Sequence, residues 1–340
     1  AIESYCRELL ATTKQNFGSE AKLVASEFCK FLARGGKRIR GSLVIFSYQA
    51  SGGKDNQAIN QVALAVELMH AYILAIDDIQ DKSELRRGEL TLHKKFEHIA
   101  KNREINDSQQ FGLSLALNAA LVGSHEANRI MLEQDFIPKD LLLAVKELNS
   151  VMVSTSHGQT LDIINQSTNE PVSEEDVSTV HELKTAHYTI YCPLVIGMIL
   201  AGKADQAKLL SNFALHLGKL FQITDDIIGV FGSKQTGKNN LDDIKEGKAT
   251  LLSTYTINNL ANGQKNRFLE LLGKPNITQE EFIEARDLIQ QSGSLEYSRQ
   301  LAKKEHDEAI KSLHELKVIW SKDDIDFLIA LTGQILSRQA

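Results

Sequence analysis

Apolar residues recur along this chain at spacings of three and four, the pattern of helices that bury one face. Leu9, Leu10 and Phe17 fit one such helix, and Leu23, Val24, Phe28, Phe31 and Leu32 fit a second that ends at Gly35-Gly36. Leu43, Val44 and Phe46 fit a third, stopped by Ser51-Gly52-Gly53. The pattern predicts a long helix from about 56 to 81, and others over roughly 107–133, 139–165, 174–202, 204–231, 277–291, 295–317 and 323–337. No alternating run of β-branched residues reads as a strand, and no repeat of about 20–50 residues marks a solenoid. No Pro/Gly/Ser-rich linker divides the chain. The expectation is an all-α fold, with 1–340 forming a single large helical domain.

Composition sharpens this picture. Only 4 of 340 residues are proline, about 1% against a usual ~5%, which favours long helices over turns. Aromatics at 6% disfavour a sheet-rich fold. With 42% hydrophobic and 24% charged residues the chain is not disordered. A net charge of −6 argues against a nucleic-acid partner. An anionic substrate would need a local basic pocket or bound cations. The N-terminal stretch AIESYCRELLATTKQNF is amphipathic, without an apolar signal core. The most apolar stretch, Thr189 to Ala201, is about 13 residues long, short of the ~20 that span a membrane. It reads as a buried core helix, so no membrane anchor is expected. Cys6, Cys29 and Cys192 show no metal spacing and read as reduced thiols of a cytoplasmic protein.

Carboxylates stand where apolar helices should exclude them. Asp77-Asp78-Ile79-Gln80-Asp81 ends the very apolar Ala71–Ile76 stretch. On a helix Asp77 and Asp81 lie about 40° apart, with Asp78 about 100° from Asp77. Three acids at a helix C-terminus oppose both the dipole and one another, so something positive must offset them. Acid-only oxygen ligands point to a hard cation, Mg²⁺ before Ca²⁺. A second pair, Asp225-Asp226, sits in Leu220-Phe-Gln-Ile-Thr-Asp-Asp-Ile-Ile, with Gln222 on a shared face. Solvated caps or ordinary ion pairs account for one such pair more readily than for two.

Basic residues accompany both. Arg86-Arg87-Gly88 follows the first cluster within the candidate loop 82–88, and Lys238 and Lys248 fall in or just after a second candidate loop, 232–247. Lys184 lies in the same half of the chain. Lys37-Arg38-Ile39-Arg40 follows Gly35-Gly36 at a predicted helix start, where free N–H groups favour phosphate. Each basic residue alone reads as solvated surface. Together with the acids they suit diphosphate chemistry, in which Mg²⁺ and Arg/Lys neutralise a leaving group. No GxxxxGK[ST] loop occurs, which argues against ordinary nucleotide hydrolysis.

In this ordered series the chain resembles the trans-isoprenyl diphosphate (polyprenyl) synthase family. The motifs are Gly35-Gly-Lys-Arg-Ile-Arg40, Asp77-Asp-Ile-Gln-Asp81 with Arg86-Arg-Gly88, Gly158-Gln-Thr-Leu-Asp162, Lys184-Thr185, Phe221-Gln-Ile-Thr-Asp-Asp226, and Thr236-Gly-Lys238 with Gly247-Lys248. The resemblance implies helices around a deep central cavity and a homodimer. It implies that Asp77, Asp81 and Asp225 bind Mg²⁺, supported by Asp78 and Asp226. Arg86, Lys184 and Lys248 would hold an allylic diphosphate (dimethylallyl, geranyl or farnesyl), with Lys238 nearby. Lys37, Arg40, His70 and Arg87 would hold isopentenyl diphosphate, and Gln159, Asp162, Thr185 and Gln222 would line the reacting region. Tyr72, five residues before the first Asp, resembles the chain-length residue of twenty-carbon synthases, with Met69 a second barrier. The implied reaction is head-to-tail condensation giving geranylgeranyl diphosphate; farnesyl or longer-chain synthases are the alternatives.

Three positions depart from the family pattern. Ile76 stands where His often precedes the first Asp pair, Gly229 where the second motif usually ends in a third Asp, and Leu117-Asn118 where a Gly-Asp pair is common. These departures leave room for a catalytically weak regulatory subunit, against which Lys37, Arg40, Arg86 and Lys238 all argue. A terpene cyclase would need no isopentenyl site, and a helical scaffold neither acid cluster.

Overall fold

The structure, a computed structural model, describes residues 1–54, 56–168, 172–232 and 241–338. Helix α1 (Ile2–Ala33) bends sharply at Gly18 (φ 86°), which is why its apolar pattern reads as two helices. Helices α2 (Ile39–Ala50) and α3 (Gln57–Gln80) follow. Asn56 caps α3 by accepting a hydrogen bond from the Ile59 amide. Next come α4 (Leu92–Asn102), α5 (Ser108–Leu132) and α6 (Pro138–Ser167). Helix α7 (Glu174–Val180), fixed by a Ser173/Asp176 capping box, runs straight into a π-helical stretch, His181–Tyr191, and then α8 (Cys192–Leu200). A 3₁₀ turn, Ala204–Leu210, leads into α9 (Ser211–Phe231). The remainder is α10 (Asp242–Lys245), α11 (Leu251–Asn259), α12 (Asn262–Leu271), α13 (Gln279–Gln291), α14 (Ser294–Leu316) and α15 (Lys322–Ser337).

The all-α expectation holds, with one small addition. Among the described residues the only strands are β1 (Leu85–Arg86) and β2 (Glu89–Leu90), a two-residue antiparallel pair. Arg87 (φ 56°) and Gly88 (φ 78°) both take left-handed backbone, as a tight hairpin turn requires. The candidate loop 82–88 is thus a hairpin that presents its arginines in fixed directions.

Helix α8 is buried along its whole length, as expected of the most apolar stretch. Among the described residues two helical stretches, Gln57–Gln80 and Glu174–Leu200, are long and apolar enough to cross a membrane, but 61% and 78% of their most apolar windows are buried inside the protein. They are the centre of the main core, which gathers residues from α1, α2, α3, α5, α9, α14 and α15. A smaller core joins Val230, Ile244 and Leu252 to Phe268, Phe282 and Ile289 of α12 and α13.

Close helix approach has a measurable consequence. A Cβ at Gly197 of α8 would lie 2.0 Å from Ser47 Oγ and 2.5 Å from the Val44 carbonyl oxygen of α2. Gly197→Ala is therefore expected to destabilise the protein by about 1–3 kcal/mol through overpacking. Gly333 of α15 faces open space, so Gly333→Ala should instead stabilise by roughly 0.4–1 kcal/mol. Urea denaturation of the two variants checks the contrast.

Candidate active site

The C-terminal end of α3, the middle of α6, the π-helical stretch, α9 and the β1–β2 hairpin surround a cavity of ≈ 1010 Å³. That is the top of the usual range of about 300–1,000 Å³ for one ligand, and suits two substrates. Two glycines let the helices close around it. A Cβ at Gly158 of α6 would lie 2.7 Å from the Lys184 amide nitrogen, and one at Gly218 of α9 would lie 2.3 Å from Ala186. The π-helical register between them is a common feature of functional sites. It carries Lys184 and Thr185 into the cavity wall.

Asp77 and Asp81 face the cavity, whereas Asp78 lies fully buried behind them. Asp77 is 3.3 Å from Lys184 Nζ and 3.4 Å from Arg86 Nη2. Arg86 Nε donates to Asp78 at 2.5 Å, and Lys248 Nζ is 3.3 Å from Asp81. Lys184 also donates to Asp162 at 2.7 Å. Burial works against the charge on Asp77, but Lys184, Arg86 and Lys248 outweigh it and hold the carboxyl down at about 2. Burial wins at Asp78 and Asp81, pushing each up to about 6 against the pull of Arg86 and Lys248 respectively. Burial also opposes the charge on Lys184, but Asp77 and Asp162 keep its pKa above that of an ordinary lysine.

Across the cavity, α9 presents Asp225 and Asp226. Thr185 Oγ1 donates to Gln222 Oε1, and Gln222 Nε2 donates to Asp226 Oδ1, both at 2.7 Å. His181 Nε2 lies 3.2 Å from Asp226 Oδ2. Arg338, beyond the end of α15, donates to Asp225 at 3.3 Å and lies over the Phe221 ring.

Among the described residues no three His, Cys, Asp or Glu side chains stand in a geometry ready to hold a metal ion. The acid oxygens are drawn onto Lys184, Lys248 and the two arginines instead. Asp77 Oδ1 and Asp226 Oδ2 are buried and make no hydrogen bond among the described residues, each meeting only an ion-pair partner, Lys184 Nζ at 3.3 Å and His181 Nε2 at 3.2 Å. An all-carboxylate donor set with such oxygens fits a hard divalent cation.

Lys37, Arg40, His70, Arg86 and Arg87 line a second, basic part of the same cavity. Arg40 Nη2 donates to Thr189 Oγ1 at 2.6 Å, and its guanidinium stacks over the Tyr188 ring. Burial, then Arg40 and Arg87, push the His70 pKa well below the ordinary imidazole value, so the ring is neutral. A guanidinium can only donate, so His70 Nε2, 3.2 Å from Arg40 Nη1, accepts. The ring proton therefore sits on Nδ1, which has no hydrogen-bond partner among the described residues. Arg87 is held by the Arg34 and Gly35 carbonyls.

Gln159 and Tyr72 also line the cavity, with both amide atoms of Gln159 buried and unpartnered. Met69 is buried in the core, its sulfur 4.0 Å from Ser124 Oγ, and does not line the cavity wall. Lys238 and the Thr236–Lys238 motif lie outside the described residues. Among the cavity residues not singled out from the sequence are His181, Asp243, Glu246 and Arg338. Asp243 and Glu246 fall within a loop marked by its composition, but no spacing distinguishes them there. Nothing local marks His181 or Arg338, whose partners lie far along the chain.

Paired acid motifs facing basic clusters inside a helical cavity define an isoprenoid-synthase fold and a prenyltransferase site. Residues 22–289 match the polyprenyl synthetase family, and the chain belongs to that family. A geranylgeranyl diphosphate synthase of Saccharolobus solfataricus is 33% identical over 307 residues, 90% of this chain and 86% of that relative. A geranylfarnesyl diphosphate synthase of Aeropyrum pernix is 29% identical over 283 residues, covering 79% of this chain and 80% of that one. Among solved structures, geranylgeranyl pyrophosphate synthase from Corynebacterium glutamicum, complexed with isoprenyl diphosphate and magnesium, superposes with a TM-score of 0.93 at 25% identity. That alignment covers 99% of this chain and 97% of the other.

Proposed function

We propose that this prenyltransferase condenses isopentenyl diphosphate head-to-tail with an allylic diphosphate, with geranylgeranyl diphosphate as its main product. The observation that carries the reading is a single cavity lined by acids from α3 and α9 on one side and by Lys37, Arg40 and His70 on another. Asp77, Asp81 and Asp225 are the groups to hold Mg²⁺, with Asp78 and Asp226 orienting the neighbours of that set. Bound Mg²⁺ would neutralise the charge that builds on a departing diphosphate. Arg86, Lys184 and Lys248 hold that diphosphate while the allylic C–O bond breaks, with Lys238 assigned beside them. The isopentenyl double bond then attacks the allylic carbon, a C–C bond forms, and a proton leaves to the released diphosphate. Gln159, Asp162, Thr185 and Gln222 border the reacting carbons. Ile73, Ile76 and Met152 of the same cavity exclude water that would trap the cation.

Lys37, Arg40, Arg87 and the free Nδ1–H of His70 form the isopentenyl diphosphate pocket. Lys37→Ala and Arg40→Ala are expected to raise the KM for isopentenyl diphosphate by about tenfold or more, as loss of a charge-assisted hydrogen bond does. The allylic KM should change little. Steady-state kinetics varying each substrate separately checks this, and an effect confined to the allylic substrate would reverse the assignment of the two pockets.

The reading includes one catalytic domain spanning the chain, a cytoplasmic location and a homodimer. Leu117 and Leu121 of α5 and Val153, Leu161 and Ile164 of α6 are exposed large apolar side chains, which supports pairing of two copies. Product chromatography from labelled isopentenyl diphosphate with dimethylallyl, geranyl and farnesyl diphosphates tests the function. A twenty-carbon diphosphate is expected from all three primers. A fifteen-carbon or much longer end product overturns the chain length, and no condensation with any primer overturns the activity.

A further inference from the structure

Gly229 removes an acid from the end of the second motif, and the structure shows what fills its place. A Cβ built on Gly229 would lie 1.8 Å from Asp243 Oδ2 and 2.9 Å from Asp243 Cγ. The carboxylate of Asp243 therefore occupies the volume that a side chain at 229 would take. Gly229 is four residues after Asp225, one turn along the same face of α9. Asp243, carried by α10, thus brings a carboxylate to the helix face from which position 229 would have offered one.

A second observation shows that this carboxylate already gathers around a cation together with the first motif. Lys248 Nζ is 3.5 Å from Asp243, 3.3 Å from Asp81 and 2.9 Å from Glu246. One ammonium stands among three carboxylates and neutralises only one of their charges. Glu246 Oε2 and, on α9, Asp226 Oδ2 are buried and make no hydrogen bond among the described residues, each standing instead against an ion-pair partner, Lys248 Nζ at 2.9 Å and His181 Nε2 at 3.2 Å. The lysine marks a place where these acids accept positive charge, and three carboxylates around one position are the kind of oxygen donor set that a hard divalent cation takes.

We propose that Asp243 replaces the missing third acid of the second motif, so that the divalent-cation site is completed from α10 rather than from α9. The inference rests on the prenyl synthase reading above, and its test does not depend on turnover. Mn²⁺ is titrated into the intact 340-residue chain and the free ion is counted by electron paramagnetic resonance. Asp243→Asn keeps the shape and removes the charge; it is expected to weaken Mn²⁺ binding by about 10- to 100-fold, the range seen when groups supporting a metal are lost. Gly229→Asp alone should unfold at lower temperature, because the new acid meets Asp243. The exchange Gly229→Asp with Asp243→Gly moves the carboxylate back to α9 and should recover most of the lost affinity. Unchanged Mn²⁺ affinity in Asp243→Asn overturns the proposal, as does a folded exchange variant with no recovery. Labelled isopentenyl diphosphate separates the two claims. A wild-type protein that makes no prenyl product while Asp243→Asn loses Mn²⁺ retires the function and keeps the site. Normal product with unchanged Mn²⁺ affinity keeps the function and retires the site.

Discussion

Asp77→Ala is expected to lower turnover by at least about 10², because charge stabilisation by a metal is worth several kcal/mol to a departing anion. Two losses combine in this variant. The proposed Mg²⁺ site loses a carboxylate, and Lys184 and Arg86 lose the acid that stands 3.3 and 3.4 Å from them. Both cations are mostly buried, so removal of their partner also lowers stability. Asp225→Ala separates the two effects. Asp225, which pairs with Arg338, is more exposed than Asp77 (26% against 16%), so its loss should cost less stability while turnover falls by a similar factor. Single-turnover rates at saturating Mg²⁺ and both substrates, read beside thermal unfolding, check the pair. Near-normal rates in both variants would falsify the metal assignment. An activity loss in Asp77→Ala alone, matched by a loss of folded protein, would reduce Asp77 to a structural acid.

Much of the fold follows from side-chain period alone. The spacing from Ile59 to Met69 places α3, and the Gly-Gly and Ser-Gly-Gly breaks bound α2. What local pattern does not reveal has physical reasons. Helix α4 was not anticipated because between Leu92 and Phe96 it interposes His93, Lys94 and Lys95, leaving only a few apolar positions. Helices α11 and α12 are short and bury their apolar residues against the smaller core, a contact that exists only after the chain has folded back. The π-helical stretch keeps the spacing of an ordinary helix in sequence, and the wider turn depends on close packing at Gly158 and Gly218. Within the site, the acid pairs stood out because carboxylates in an apolar helix need compensation. Arg338 did not, because its value lies in meeting Asp225 across 113 positions. Gly229 reads as a simple loss until Asp243 is seen in the vacated space.

Tyr72→Ala is expected to change the identity of the product rather than its rate of formation. The acids at the end of α3 anchor the diphosphate end in the proposed reaction, so a growing prenyl chain extends back along α3. Tyr72 is five residues before Asp77 and borders the cavity together with Ile73 and Ile76. Its phenol is large enough to stop a chain, and truncation to alanine opens volume without removing a charged group from the site. The dominant product should therefore lengthen beyond twenty carbons, while isopentenyl diphosphate consumption stays within a few-fold of wild type. Met69 gives the next layer. It lies three residues before Tyr72 on α3, buried outside the cavity wall with Ser124 of α5 against its sulfur, so Met69→Ala alone should leave product length unchanged. It should add further length only once Tyr72 has been removed, because only then does the chain reach that depth. The same order would make the double variant more than the sum of the singles, as expected for residues placed in series. Chromatography of the extracted prenyl chains from the two single variants and the double variant reads out each step. Wild-type product length in Tyr72→Ala would move the floor of the cavity to α6, where Met152 is the bulky side chain that borders it.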